Sequence, residues 1–134
     1  TAKKLARDKI AAKRFAVETG GVIANSKYYA TDRDSQAAIA RATGTVSWKA
    51  AGTVVRDVVQ EDESTVATTF ISDPEFVDTD MAALGAVVSQ HVQDAYAKEK
   101  ELLEAINGAS DVAALRAIDL DSGWAFVPQN DTGD

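Results

Sequence analysis

Apolar positions recur with helical spacing over residues 2–18, where Ala2, Leu5, Ala12, Phe15 and Ala16 fall on one broad face and Ile10 and Val17 flank it. The face is mostly alanine, so it is thin and calls for a large partner. Gly20-Gly21 stops the pattern, because glycine tolerates the left-handed backbone that ends helices. Next, "GVIANSKYYA" sets two short apolar runs about Asn25-Ser26, which predicts a tight hairpin. In "ATDRDSQAAI", Thr31 or Asp32 can cap a short helix, and Thr31 with Asp34 has the spacing of a capping box. Ala37, Ala38, Ile39 and Ala42 form its apolar side, and Gly44 ends it.

Residues 45–60 and 65–71 are rich in Val and Thr and read as strands, joined by the polar "QEDES". Trp48 is expected to anchor the first strand, and "AAG" to interrupt it. "SDPEF" at 72–76 breaks the strand pattern, since Pro74 lacks a donor and restricts its neighbour. Thr79 is then expected to cap a long helix from Asp80 to Asn107, with Gly108 as its stop. Its stripe is Met81, Leu84, Val88, Val92, Ala95, Leu102, Leu103 and Ile106. At 1.5 Å per residue it spans about 40 Å, more than a small core requires, so its far end is expected to meet another chain. Outside the stripe, Asp94 and Lys98 stand at i, i+4. A short helix covers "DVAALRAI" from Ser110.

Together these elements predict an α+β fold: N-terminal helix, β-hairpin, short helix, small antiparallel sheet enlarged by the 53–71 hairpin, long amphipathic helix and short C-terminal helix. The helices are expected to cover one face of the sheet. Tyr28, Tyr29, Trp48, Phe70 and Trp124 are the core and seam candidates. Residues 1–127 form one domain and 128–134 a polar tail. Of the 134 residues 46% are hydrophobic, which suits one domain with a true core. There is no membrane-length apolar run and no signal-peptide pattern at the charged start. Thr1 is compatible with loss of an initiator Met, so a nearly complete chain is expected.

Charge sharpens this picture. Residues 1–14 hold Lys3, Lys4, Arg7, Lys9, Lys13 and Arg14 against Asp8 alone, a net +5 that leaves −12 for the rest of a chain whose total is −7. The acidic body repels phosphates, and no aromatic platform interleaves with the basic residues, so neither nucleic acid nor a membrane surface is the expected partner. A basic helix on an acidic body suits contact between protein subunits. Lys3, Lys4, Arg7, Lys13 and Arg14 are the candidate partner-binding residues.

Motifs for chemistry are sparse. The chain has no Cys, which excludes disulfides and thiolate metal sites. The single histidine, His91, has neither HxxxH nor HExxH around it and reads as a surface or half-buried packing residue. The acids of "QEDES" and "DLDS" fall in turns and helix ends, and "DLDSG" is too short for a calcium loop. A glycosidase needs two carboxylates about 5–10 Å apart across a cleft, and nothing selects such a pair. No GxSxG elbow and no GxxxxGK[ST] loop is present. The expectation is a protein that is not an enzyme and needs no cofactor or metal.

The order of the pieces carries more. A charged Ala-rich helix leads into "ETGGVIANSKYYATDRDSQAAI", then come "VSWKAAG", "TDMAALGAVVSQHVQDAYAKEKELLEAI" and "DVAALRAIDLDSGW". This series resembles a domain of unknown function found in tail proteins of tailed bacteriophages, often near tail-fibre genes. The turn Asn25-Ser26 stands where that family tends to have Asn-Gly, and residues 54–76 look like an extension. The resemblance implies a structural or assembly role in a virion, with other phage structural proteins and further copies of the chain as partners. A part of the tail, baseplate or fibre is expected first, with a tail-fibre assembly chaperone or a capsid decoration protein as alternatives. The resemblance supplies no catalytic residue.

Overall fold

A computed structural model describes residues 1–59, 65–125 and 127–130. The chain runs α1 (Ala2–Glu18), β1 (Val22–Ala24), β2 (Lys27–Tyr29), α2 (Arg33–Arg41), β3 (Thr45–Ala50), β4 (Gly52–Val59), β5 (Thr65–Ile71), β6 (Glu75–Asp80), α3 (Met81–Gly108), α4 (Val112–Arg116) and β7 (Gln129–Asn130). The α+β class is as expected. The sheet arrangement is more divided than expected. Among the described residues, five strands form one sheet in the order β1-β2-β4-β5-β7, and β3 pairs with β6 in a second.

The β1–β2 hairpin pairs Val22 with Tyr29 and Ala24 with Lys27. Asn25 and Ser26 have φ of 51° and 63°, the two positive values that a type I′ turn demands. "AAG" does interrupt the strand run: Ala51 separates β3 from β4, and its N–H donates to the Tyr28 carbonyl. Gly52 sits opposite Tyr28, and an added Cβ there would stand 2.4 Å from the Ile71 carbonyl oxygen. Beside it the rings of Tyr28 and Phe70 stack at 3.7 Å. The register of β4 against β5 shifts after Val54 and again after Arg56.

β6 was not expected. It lies where Pro74 breaks the strand pattern, and Pro is tolerated just before a strand begins. It pairs antiparallel with β3 along its whole length, from Thr45↔Asp80 to Ala50↔Glu75. Val77 and Thr79 turn inward while Phe76 is 70% exposed. Thr79 therefore belongs to the strand, and Asp80 caps α3 by accepting from the N–H groups of Ala82 and Ala83. The "QEDES" connection lies outside the described residues. Gln129 and Asn130, within the stretch read as a tail, pair in parallel with Thr69 and Phe70.

Two apolar cores form along α3. One gathers Val22, Tyr29, Ile39, Ala50, Met81, Leu84 and Val88, with Trp48 half-buried against it. The other joins Ile10, Leu102 and Ile106, flanked by Leu115, Ile118, Leu120 and Trp124. The far half of α3 is thus covered by α1 and by the segment after α4, within one chain.

The inward face of α1 corrects the sequence reading. Ile10 and Val17, taken as flanks, are the buried apolar residues, whereas Leu5 and Phe15 are 71% and 50% exposed. Alanines bury little area, so Ala2, Ala12 and Ala16 give that side of the helix little to gain. Ile10 turned inward fills the space over Leu102 and Ile106, and the same rotation carries Glu18 to the partners described next.

Candidate functional site

The polar residues converge where α1 ends, between the two cores. Glu18 is 1% exposed, and its carboxylate is ringed by donors. Arg33 grips both oxygens, with Nε 2.6 Å from Oε2 and Nη2 3.0 Å from Oε1. Arg14 Nη1 reaches Oε1 at 2.7 Å and Gln36 Nε2 reaches Oε2 at 3.0 Å. These four contacts match the four lone-pair sites of a carboxylate. Burial opposes the charge of Glu18, and hydrogen bonds from Gln36, Arg14 and Arg33 outweigh it, so the carboxyl sits below its ordinary pKa of 4.5.

The surrounding bonds finish backbone ends. Thr31, fully buried, donates its hydroxyl to the Glu18 carbonyl at 2.8 Å and accepts the Gly21 N–H at 2.8 Å. It is not the helix cap. That role falls to Asp32, which accepts from the Ser35 N–H and hydroxyl. Gln36 also donates to the Thr31 carbonyl at 2.7 Å. Gly21 has φ +96°, and an added Cβ would stand 2.2 Å from the Tyr28 ring, so the Gly-Gly break is needed for both conformation and space.

His91 is more buried than expected, at 8% exposure, and lies within the stripe of α3. Its Nε2 is 2.6 Å from the Val17 carbonyl oxygen, which can only accept, so the proton sits on Nε2. Tyr96 faces the same junction: Arg14 lies 4.7 Å from its ring centre, and Arg33 donates to its hydroxyl at 3.4 Å. Glu99 stands 3.5 Å from Arg14. Glu18 was missed in the sequence reading. Its only signal was its place one turn after Arg14 and next to inward Val17, on a helix whose apolar face was drawn on the wrong side.

The five candidate partner-binding residues separate. Lys3 Nζ donates to the Asn107 carbonyl at 3.2 Å, and Arg7 reaches the Asn107 side chain at 3.4 Å, so both serve the C-terminal end of α3. Arg14 is committed to the Glu18 junction. Lys4 pairs with Asp8 on the surface at 2.8 Å. Lys13 is exposed and has no ion-pair partner among the described residues. Lys9, also exposed, stands 3.4 Å from Asp121.

Among the described residues, no group of three or more His, Asp or Glu side chains could hold a metal ion, and no helix is long and apolar enough to cross a membrane. A carboxylate whose acceptor sites are all engaged has no position left for a substrate proton. The fold and the junction together define a small α+β domain whose buried polar groups join α1, α2 and α3. The chain belongs to the family described as Domain of unknown function (DUF4376), whose profile matches residues 1–121. Among curated proteins and among solved structures, none matches the chain.

Proposed function

We propose that this protein is a non-enzymatic structural component of a bacteriophage virion, at the tail, baseplate or tail fibre, where it makes contacts between subunits. The setting comes from the sequence resemblance. The observation that supports a scaffolding role is the Glu18 junction, where Glu18, Arg33, Gln36, Tyr96 and His91 are spent on holding three helices together. The contact surface we assign is the exposed part of α1, which offers Lys4, paired with Asp8, on one flank and Lys13 on the opposite flank to acidic neighbours. Charge complementarity of this kind fixes register and partner choice more than affinity.

The test is charge reversal. Lys4→Glu with Lys13→Glu lies on the surface and leaves the junction intact, so the purified variant should melt like the parent while particles assemble poorly. Normal assembly would remove α1 as the contact surface. Mass spectrometry of purified particles checks the location: the protein should be present in them. Its absence from particles, combined with failed assembly in a deletion strain, would make it an assembly factor instead.

A further inference from the structure

Two cations of α1 converge on one neutral residue. Lys3 Nζ donates to the main-chain carbonyl of Asn107 at 3.2 Å, and Arg7 Nη1 stands 3.4 Å from its side-chain Oδ1. Asn107 is exposed, and so is Gly108 after it. Asn25 precedes Ser26 and Asn130 precedes Asp131, so Asn107 alone precedes a glycine. That order matters chemically. Asparagine is a thermolabile residue, because the peptide nitrogen that follows it can attack its side-chain amide. Glycine has no Cβ to hinder the approach. An added Cβ at Gly108 would meet nothing within 4 Å, so the space beside this peptide is open.

We propose that Asn107–Gly108 is a self-modifying site, at which Lys3 and Arg7 promote loss of the Asn107 side-chain amide as ammonia. The nucleophile is the Gly108 nitrogen once it has given its proton to solvent. The negative charge of that anion is shared with the Asn107 main-chain oxygen, where the Lys3 ammonium donates. The electrophile is Cγ of Asn107. As the N–Cγ bond forms, charge develops on Oδ1, which faces the Arg7 guanidinium. Fixed positive groups at both places where charge develops lower the barrier. The Cγ–Nδ2 bond then breaks, and Nδ2 takes a proton from solvent and departs as ammonia, leaving a five-membered imide. Water opens that ring at either carbonyl. Opening at Cγ gives aspartate with its carboxylate towards Arg7. Opening at the main-chain carbon gives isoaspartate with its carboxylate towards Lys3. Either product sets its new charge opposite a cation already in place.

The end of α3 permits the movement this requires. In a regular helix the Gly108 nitrogen points away from Cγ, so Asn107 must turn about ψ before attack. Gly108 is the last residue of α3, and the Ala109 N–H reaches back to the Ile106 carbonyl at 3.2 Å, three residues earlier. A terminal turn of this kind opens at little cost. Asn25 is the internal contrast. A side chain follows it at Ser26, and the Ala24–Lys27 pair clamps its turn. The site involves α1 and α3 of a single chain, so it stands apart from the proposed role in a particle.

The folded full chain, incubated at mildly alkaline pH and sampled over days, should accumulate aspartate and isoaspartate at position 107 and leave Asn25 unchanged. Peptide-mapping mass spectrometry reads both. Lys3→Gln with Arg7→Gln should slow the conversion at least about threefold. Lys3→Arg with Arg7→Lys keeps both charges and should convert like the parent. The sign of the effect separates promotion from tethering, because cations that only pinned the helix end would, once removed, let Asn107 convert faster. An unchanged or faster rate in the folded Gln variant, or no conversion of Asn107 in the parent, overturns the proposal. Circular dichroism at the incubation temperature shows whether the Gln variant stays folded. If it does not, the parent decides: screening the two cations with concentrated sodium chloride should slow conversion, and an unchanged rate overturns the proposal. None of these results bears on the particle test with Lys4 and Lys13.

Discussion

Replacing Glu18 by Gln removes a buried negative charge from between Arg14 and Arg33 while keeping the side chain's shape. The expected loss is about 2–3 kcal/mol, read from urea unfolding at neutral pH, because two guanidinium groups lose a charged acceptor. The pH dependence follows from linkage. The folded carboxyl lies below 4.5, so its contribution is complete above the unfolded value and disappears as pH falls through the folded one. The parent should therefore lose stability on the acid side more steeply than Glu18→Gln. Some slope will remain in the variant, since hydrogen bonds from Ser35 also lower the Asp32 carboxyl. An equally steep acid limb in both proteins would show that Glu18 is not the charge that matters. At this scale the sequence was legible in part. Local spacing narrowed the cap of α2 to Thr31 or Asp32, and the structure gives it to Asp32. The roles of Glu18, Thr31 and His91 were not legible, because contacts that fix them reach across the chain: 13 residues separate Thr31 from Glu18, 15 separate Arg33 from Glu18 and 74 separate His91 from Val17.

The β1–β2 hairpin was legible from Asn25-Ser26, and its turn suggests a stabilising change. Ser26 holds φ of 63°, a conformation that costs a side chain about 1 kcal/mol and glycine almost nothing. Ser26→Gly should therefore raise stability by up to about 1 kcal/mol, less whatever the greater freedom of the unfolded chain takes back. Thermal melts of the two proteins decide this, and a lower melting temperature for the variant would mean that Ser26 makes a contact worth more than the strain. Gly52→Ala should do the opposite. Its new methyl group meets the Ile71 carbonyl and the Phe70 ring, so a loss of about 1–3 kcal/mol is expected. Strand β6 was illegible for a related reason of geometry. It turns only Val77 and Thr79 inward, and its largest apolar residue, Phe76, faces out. Alternation in so short a strand cannot reveal which face is covered. The direction of α1 failed similarly, since an alanine stripe and an Ile–Val pair compete on one helix and only α3 decides between them.

At the scale of the whole molecule, α3 ties the two cores together: Met81, Leu84 and Val88 belong to the first, Leu102 and Ile106 to the second. The Glu18 junction and buried Ala95 bridge the interval. Ile10→Ala should cost about 2–5 kcal/mol, because Ile10 is fully buried over the second core. A helix shared by both cores should spread that loss over the whole molecule, so unfolding should remain a single transition by both near- and far-ultraviolet dichroism. Two separated transitions would mean that the cores fold independently. The α+β class and the long helix were readable because helical periodicity over many residues leaves little choice. The division into two sheets was not, since pairing β3 with β6 rather than with its sequence neighbour depends on contacts no local pattern records.

The pairing of β3 with β6 has a last consequence for a protein held at high local concentration. Among the described residues β6 has no second neighbour in its sheet, so its backbone offers a template on which another strand could grow. Glu75, Asp78 and Asp80 lie along the strand's short length, Glu75 held by Lys27 and Asp80 by its cap on α3. Two such strands brought side by side would set carboxylates against carboxylates, and runaway stacking would stall at its first step.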